Sequence, residues 1–255
     1  MLIVEKIGQS VLQRLETGGR VMLLFLDTLY HVPQRPKLRH VLNQMAHLGV
    51  DSLPIILLTI LFTGMVMTVQ TAHEFIKYGA QSSVGGMTAI SMARELAPVL
   101  SGVVLAGRVG AAIAAELGSM KVTEQIDALR VMAVNPVQYL VVPRFLACVF
   151  MAPILVVFAN VIGVSGGYLV AVYYADISPF TYLHSIQVFA VVNDITGGLI
   201  KSMFFGGIVA IIGCYKGLDA KEGAEGVGNA TTGAVVTSMI LIFISNYFLS
   251  LLLYR

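Results

Sequence analysis

Long charge-free runs constrain this chain more than any other feature of its sequence. Three stretches contain no Asp, Glu, Lys or Arg: residues 52–73, 145–175 and 226–254. A fourth stretch, 195–215, is interrupted only by Lys201. A membrane-spanning helix needs about 20 mostly apolar residues, at about 1.5 Å of rise for each. Each of these runs therefore predicts one spanning helix.

A fifth apolar segment, 84–117, is rich in Gly and Ala but contains Arg94, Glu95, Arg108 and Glu116. Only 12% of the whole chain is charged, whereas an average soluble domain is about 25% charged. A chain with so few polar residues cannot cover its own apolar core in water. The sequence thus predicts an all-α membrane protein with five spanning helices. Its net charge of only +2 gives no support for a nucleic-acid partner.

The first fifty residues contain no run that is long enough to cross a bilayer. Val4, Ile7, Val11 and Leu15 recur at helical spacing between polar residues, which is typical of a helix lying in the membrane interface. Pro33 and Pro36 interrupt the chain, and a second amphipathic stretch follows at Leu38, Val41, Leu42 and Met45. We predict an N-terminal interfacial segment over 1–51 and a transmembrane domain over 52–255. A small cytosolic cap helix is the alternative for the first segment.

The distribution of Lys and Arg predicts the orientation. Eleven of these residues fall in the N-terminal segment, the loop after the second span and the loop after the fourth. The opposite side has only Lys77 and Arg255. Because Lys and Arg concentrate in cytoplasmic loops, we expect a cytoplasmic N-terminus and a C-terminus on the outer side.

Arg94 and Glu95 lie near the middle of the second predicted span. An ionisable group at that depth is costly unless it is paired or faces water, so its presence is a functional hypothesis by default. Adjacent residues of a helix point about 100° apart, so these two do not simply neutralise each other. At least one of them should reach another helix or a wet cavity.

Two charged residues of the fourth span share one helix face. Asp194 and Lys201 are two turns apart, and Gly197 and Gly198 between them add no side chains to that face. A contact between Glu95 and Lys201 would pair the second span with the fourth. We therefore predict a substrate-facing polar site made of Arg94, Glu95, Asp194 and Lys201. A buried ion pair that only fixes helix packing is the alternative.

The segment after the second span predicts a helix parallel to the membrane, over about 120–133. Val122, Ile126, Leu129 and Ala133 form a short apolar face, while Glu124, Asp127 and Arg130 form a charged one. Such a helix suits docking on a cytoplasmic partner and transmission of its motion to the flanking spans. A solvated connector without a partner is the alternative.

Other motifs point away from catalysis in this chain. Gly163–Gly167 matches G-x-S-x-G, the pattern of a serine nucleophile, and an intramembrane serine protease is therefore a further alternative. The motif lies inside a span and no histidine is expected at the same depth, so we interpret its glycines as a packing face. Cys148 and Cys214 lie in apolar runs and are expected to be buried thiols. The sequence contains neither a G-x-x-x-x-G-K-[ST] loop nor a Cys/His cluster with metal-ligand spacing. ATP-driven work would need a second polypeptide.

Five motifs together make the chain resemble the MlaE/YrbE family, whose members are membrane subunits of ABC-type lipid transporters working with MCE-domain proteins. The motifs are 94–98 (RELAP), 105–116 (LAGRVGAAIAAE), 120–130 (MKVTEQIDALR), 143–144 (PR) and 230–232 (ATT). The similarity extends from about residue 50 to the C-terminus, and a motif set this long is highly specific.

The resemblance implies a transporter subunit, not an enzyme, in a bacterial inner membrane with a periplasmic C-terminus. It also implies a homodimer, two cytoplasmic ATPase subunits that hold ATP and Mg²⁺, and a periplasmic ring of MCE proteins. A phospholipid would occupy a cavity between the two copies and move by alternating access. The implied cavity residues are Arg94, Glu95 and Lys201, with Asp194 on the same face. The residues expected to couple to the ATPase are Glu116, Lys121, Glu124, Asp127 and Arg130. A non-transporting membrane scaffold or channel is the alternative.

The chain departs from the family pattern at two positions. Many relatives have a basic residue directly after the Ala-Thr-Thr motif and an acidic residue thirteen positions later. Here those positions are Gly233 and Asn246. Because both members of a possible pair are missing together, we expect the polar lining of the cavity to differ.

Overall fold

The computed structural model describes residues 2–34, 38–221 and 223–254, without the side chains of 2–11, 13 and 14. The predicted apolar face of Val4, Ile7 and Val11 lies outside the described side chains. So does the part of the orientation argument that rests on Lys6, Arg14, Arg35, Lys37 and Arg255. Within the described part, the chain forms eight helices of seven or more residues: α1 Leu2–His31, α2 Leu38–Lys77, α3 Gln81–Val122, α4 Gln125–Val131, α5 Val137–Tyr173, α6 Pro179–Phe189, α7 Val192–Leu218 and α8 Gly223–Leu253.

Five of these helices, namely α2, α3, α5, α7 and α8, are long and apolar enough to cross a bilayer. The predicted all-α fold with five spans is therefore confirmed. The shortest of them, α7, has 27 residues and extends for about 40 Å, more than the roughly 30 Å of a hydrocarbon core. Helix α2 continues without a break across residue 51, so the second amphipathic stretch leads directly into the first span.

Helix α1 packs against the bundle along one side only. Val21, Leu24 and Phe25 pack against the main apolar core, whereas Leu12 and Leu15 are exposed. Near the end of α1, Asn135 Nδ2 lies 3.1 Å from His31 Nε2, which joins this helix to the loop before α5. Its position in the membrane interface stays a prediction.

Helix α3 is not a regular α-helix. It contains two π-helical turns, Met92–Leu96 and Ala106–Gly110, and the first of them includes Arg94 and Glu95. A π turn changes the hydrogen-bond register of a helix and is frequent at functional sites.

Small residues bring α2, α3 and α5 together at the middle of the bundle. A Cβ atom on Gly64 would collide with the backbone oxygen of Gly163, and one on Gly163 would collide with Met92. The hydroxyl of Ser165 donates to the carbonyl of Val161 in its own helix, at 2.7 Å. The glycines of this segment thus pack helices together, as predicted. Cys148 and Cys214 are buried free thiols, also as predicted.

Helix α6 lies at the end of the bundle opposite α4 and is fixed to the start of α3. The backbone N–H of Gly86 donates to Ser185 Oγ at 2.8 Å, and a Cβ atom on Gly85 would collide with the backbone of Tyr182. A short extended link at Ala190 and Val191 then leads into α7. The first turn of α7 then lies beside Arg94, in the first third of α3.

Candidate functional site

Arg94 and Asp194 form the exposed half of a charged cluster between α3 and α7. Arg94 Nε donates to Asp194 Oδ1 at 2.7 Å, and Nη2 lies 2.7 Å from the same oxygen. Asp194 is buried, whereas the Arg94 side chain is 38% exposed. Asp194 was expected to share one face of its helix with Lys201, and in the structure both side chains contact Arg94, Asp194 at the guanidinium and Lys201 at the backbone oxygen. This pair leaves one edge of the guanidinium facing outward.

Lys201 forms the buried half of the cluster, with an exposure of 0%. Its ammonium donates to Glu95 Oε1 at 2.7 Å, to the backbone oxygen of Arg94 at 2.9 Å and to Ser250 Oγ at 2.7 Å. An ammonium has three protons, so these contacts use all of them. The predicted contact between Glu95 and Lys201 is present, and it leaves Lys201 no donor for a ligand.

Helix α8 contributes two polar groups to Glu95. Asn246 Nδ2 donates to Glu95 Oε2 at 2.9 Å, and Ser250 Oγ lies 2.8 Å from Glu95 Oε1. An acidic residue at position 246 would bring a second carboxylate against Glu95, whereas the amide supplies a donor. Asn246, one of the two departures from the pattern of the family that the chain resembles, therefore lies inside the cluster itself.

Tyr254 covers the cluster at the end of α8. Its ring centroid lies 4.8 Å from Arg94 Cζ and 4.9 Å from Lys201 Nζ, both within cation–π range. Its hydroxyl donates to the backbone oxygen of Asp194 at 3.3 Å. Sequence reasoning missed Tyr254 and Ser250 because neither is charged. The available signal was the four-residue spacing of Asn246, Ser250 and Tyr254 along an otherwise apolar helix.

Two glycines allow α7 to approach α3 at the cluster. A Cβ atom on Gly198 would collide with the backbone oxygen of Ala93, and one on Gly197 would lie 2.6 Å from the Tyr254 hydroxyl. These glycines thus leave that face of α7 free of side chains, as predicted. Close approach of the backbones lets the short Asp194 side chain reach Arg94.

Arg108, another charged residue of the second span, lies outside the cluster. Arg108 Nη1 donates to Ser52 Oγ at 2.7 Å and thereby joins α3 to α2. Among the described residues, no group of three or more His, Cys, Asp or Glu side chains is arranged to hold a metal ion.

Three of the five predicted coupling residues, namely Lys121, Asp127 and Arg130, form ion pairs at the end of the bundle that bears α4. Asp127 Oδ2 lies 3.2 Å from Lys121 Nζ, and Asp127 Oδ1 accepts from Arg130 Nη1 at 2.9 Å. Glu116 instead pairs with the buried Arg144 of α5, with 2.8 Å between Oε1 and Nη2. Glu116 therefore joins α3 to α5, and Asp127 joins α4 to the end of α3.

Helix α4 is shorter than the predicted helix over 120–133. The chain continues α3 to Val122, and Glu124 then adopts a left-handed backbone conformation with φ of 59°, which ends the helix and starts a new one. Of the predicted apolar face, Ile126 is fully buried. Val131 and Met132 project outward instead, with exposures of 88% and 64%.

Comparison with known proteins gives consistent matches along the chain. A family model described as "Permease MlaE" matches residues 41–252. A probable ABC transporter permease protein of Synechocystis is 50% identical over 217 residues, which cover 85% of this chain and 82% of that protein. One of Rickettsia bellii is 41% identical over 254 residues, covering 99% and 98%. The chloroplastic protein TRIGALACTOSYLDIACYLGLYCEROL 1 of Arabidopsis thaliana is 39% identical over 233 residues, covering 91% of this chain and 65% of that protein.

Proposed function

The chain belongs to the MlaE permease family, and from this premise we propose that it is the membrane subunit of an ATP-driven transporter of phospholipids. Membership makes it a multi-pass permease of the ABC transporter class. The proposal adds the substrate, a cavity between two copies of the chain, and transport between the bacterial inner membrane and the periplasm or outer membrane.

One observation supports the proposal most directly, namely that the two cations of the cluster differ in exposure and in the number of free hydrogen-bond donors. Lys201 is buried and has no free donor. Arg94 is partly exposed, and among the described residues its Nη1 contacts no acceptor. A guanidinium forms strong, charge-assisted hydrogen bonds with phosphate. Arg94 is therefore the group that binds a headgroup phosphate. The buried pair of Lys201 and Glu95 positions Arg94, because Lys201 also donates to the Arg94 backbone oxygen.

Exposed apolar residues on α8 support a homodimer. Phe243, Tyr247 and Phe248 are all exposed on this helix. A second copy packed there would enclose the space in front of Arg94, and apolar walls would hold acyl chains without specific contacts.

The region of α4 supports a cytoplasmic ATPase as partner, which would hold ATP and Mg²⁺. Val131 and Met132 form an exposed apolar tip, the kind of surface that marks a protein interaction site. The ion pairs of Asp127 with Lys121 and Arg130 connect this tip to the end of α3. Helix α3 then continues to Arg94 within one element, so motion of the tip reaches the headgroup site.

The transport cycle follows as alternating access. Closure of two ATPase subunits on nucleotide moves α4, the cavity between the two permease copies narrows, and the lipid leaves toward the outer side. This cycle requires α4 and the N-terminus on the cytoplasmic side, and the end of α8 on the periplasmic side. A periplasmic MCE-domain protein would receive the lipid there, as the family resemblance implies.

Transport by an arginine variant tests the proposal. The chain is reconstituted with its ATPase in liposomes, and ATP-dependent movement of a fluorescent phospholipid is measured for Arg94→Gln and for Lys77→Gln. Lys77 is an exposed lysine paired with Glu74 outside the cluster, so its variant is the matched control. Loss of one charge-assisted contact is worth about 2 kcal/mol, so Arg94→Gln should lower the rate about tenfold or more.

Assembly is measured in the same samples by native mass spectrometry. Two copies with two ATPase subunits should persist in the Arg94→Gln variant. Unchanged lipid movement in an intact complex would contradict the site and favour the scaffold.

A further inference from the structure

A large apolar cleft lies outside the charged cluster. Its volume is about 720 Å³, and it opens between α1, α5, α7 and α8. None of the charged residues of the cluster lines it. The residues that define its walls include Gly18, Met22, Val149, Phe204, Ile208 and Leu241. A volume of 300–1,000 Å³ with apolar walls is typical of a small-molecule site.

A lysine lies at one end of this cleft, in the seam between α7 and α8. Ile212 and Thr237 line the cleft, and Lys216 and Gly233 follow one helical turn further along the same two faces. A Cβ atom built on Gly233 would lie 3.8 Å from Lys216 Nζ. Because Gly233 has no side chain, the ammonium of Lys216 fits into the seam.

Lys216 is a cation without a counterion in the described part of the chain. It makes no ion pair or hydrogen bond there, although it is only partly exposed. The neighbouring Arg20 is already engaged by Glu16 at 2.7 Å and lies 3.9 Å from Asp219. A partly buried ammonium is stabilised by a nearby anion. The cleft thus has apolar walls, and one helical turn beyond its lining lies a lysine that has no counterion among the described residues.

We propose that this cleft is a second lipid site, which binds one phospholipid with an acyl chain along the walls and its phosphate on Lys216. An amphiphile with an anion at one end matches both features at once, whereas an apolar helix of another protein supplies no anion for Lys216. Because Lys216 lies at the end of the bundle that bears α4, the site takes lipid from the leaflet on that side. The inference rests on the proposed function only for the ligand class.

A pair of adjacent glycines in α1 provides the first test. A Cβ atom on either Gly18 or Gly19 would meet no atom within 4 Å, but only Gly18 lines the cleft. Gly18→Leu therefore fills the cleft, and Gly19→Leu is the matched control. The full chain is extracted with its co-purifying subunits, and bound lipid is counted by native mass spectrometry. Gly18→Leu should lose one bound dioleoylphosphatidylglycerol per chain, whereas Gly19→Leu should keep it.

A pair of lysines tests the charge. Dioleoylphosphatidylglycerol, dioleoylglycerol and inorganic phosphate are titrated separately against the wild-type chain, Lys216→Gln and Lys221→Gln. Lys221 is exposed in the following loop and serves as control. Only Lys216→Gln should weaken binding of dioleoylphosphatidylglycerol, by about tenfold, since one hydrogen bond to a charged group is lost. Dioleoylglycerol has the same chains without phosphate, so its binding should not change.

Several results would overturn the second site. Equal lipid counts in the two glycine variants would show that the cleft is not occupied by lipid. Binding of inorganic phosphate as tight as that of the phospholipid would assign Lys216 to a free anion. Cross-linking of Met22→Cys to another protein chain would assign the cleft to a partner helix.

The proposed function can fail independently of this site. Normal transport by Arg94→Gln, together with lipid loss in Gly18→Leu, would overturn the headgroup site and leave the cleft site standing. The reverse pattern would overturn the cleft site alone.

Discussion

Asp194 binds Arg94 with one carboxylate oxygen and the start of its own helix with the other. Its Oδ1 lies 2.7 Å from Arg94 Nε, and its Oδ2 accepts the backbone N–H of Val191 at 3.0 Å. A single buried carboxylate thus fixes both the orientation of the guanidinium and the first turn of α7. Movement of α6 and the link at Val191 would therefore act directly on Arg94.

We expect Asp194→Asn to destabilise the protein by about 2 kcal/mol. An amide has one acceptor oxygen, so it cannot serve Arg94 and Val191 together, and it carries no charge to balance the guanidinium. The partial exposure of Arg94 keeps the loss below that of a fully buried pair. Thermal unfolding in nanodiscs measures the change. Glu74→Gln, which breaks the exposed pair with Lys77, is the control and should have little effect. Equal midpoints for the two variants would contradict the dual role of Asp194.

A double-mutant cycle should show that Glu95 and Lys201 act as a unit. Lys201→Met leaves the Glu95 carboxylate with only Asn246 and Ser250 as partners. We expect this substitution to lower the free energy of unfolding by about 3 kcal/mol. In the double variant with Glu95→Gln, no unbalanced charge remains, so the loss should be smaller than the sum of the single losses by about 2 kcal/mol. The free energy of unfolding of all four proteins measures this coupling. Additive losses would show that the contact carries no coupling energy.

Gly198→Ala should separate α7 from α3. The added methyl group would collide with the backbone oxygen of Ala93, which cannot move without shifting its helix. We expect a loss of about 2 kcal/mol in thermal unfolding, and also a lower transport rate as Asp194 moves away from Arg94. Gly107→Ala places the same methyl group in open space on α3, and it should be neutral or slightly stabilising. Equal stability of the two variants would contradict the close approach.

Val131→Asp should abolish association with the ATPase without unfolding the permease. Val131 is the last residue of α4 and its side chain is 88% exposed, so a carboxylate there meets water in the free chain but is buried in a docked complex. Co-purification of the ATPase measures association, and the thermal midpoint checks the fold. Tyr78→Asp introduces the same charge at a residue that is 82% exposed at the opposite end, and it should keep the ATPase. Retention of the ATPase by Val131→Asp would place the docking surface elsewhere.

The five spans were predictable because length and the absence of charge are local properties of the chain. The end of α3 at Val122 was not predictable, because it depends on a left-handed backbone conformation at Glu124 that non-glycine residues rarely adopt. The two π turns of α3 were also missed, since hydrophobic periodicity does not resolve a shift of one residue in the hydrogen-bond register.

The site was predictable as far as charge alone identifies its members. The contact of Glu95 with Lys201 followed from the cost of isolated charges in a bilayer. The partner of Arg94 did not follow, because it depends on how deeply α7 approaches α3. Tyr254 was missed because it carries no charge, and because an aromatic residue at the end of a span is ordinarily an interfacial anchor.

The two ion pairs of the cluster also determine how the site responds to an electric field. Arg94 and Lys201 carry two positive charges, while Glu95 and Asp194 carry two negative ones, so the ionised cluster has no net charge. Moving one elementary charge through a membrane potential involves about 2.3 kcal/mol for each 100 mV. Displacement of the whole cluster along the membrane normal therefore involves no net electrical work. An anionic headgroup bound to Arg94 would then supply the only net charge of the assembly. Any voltage dependence of transport would therefore arise from the charge of the transported lipid.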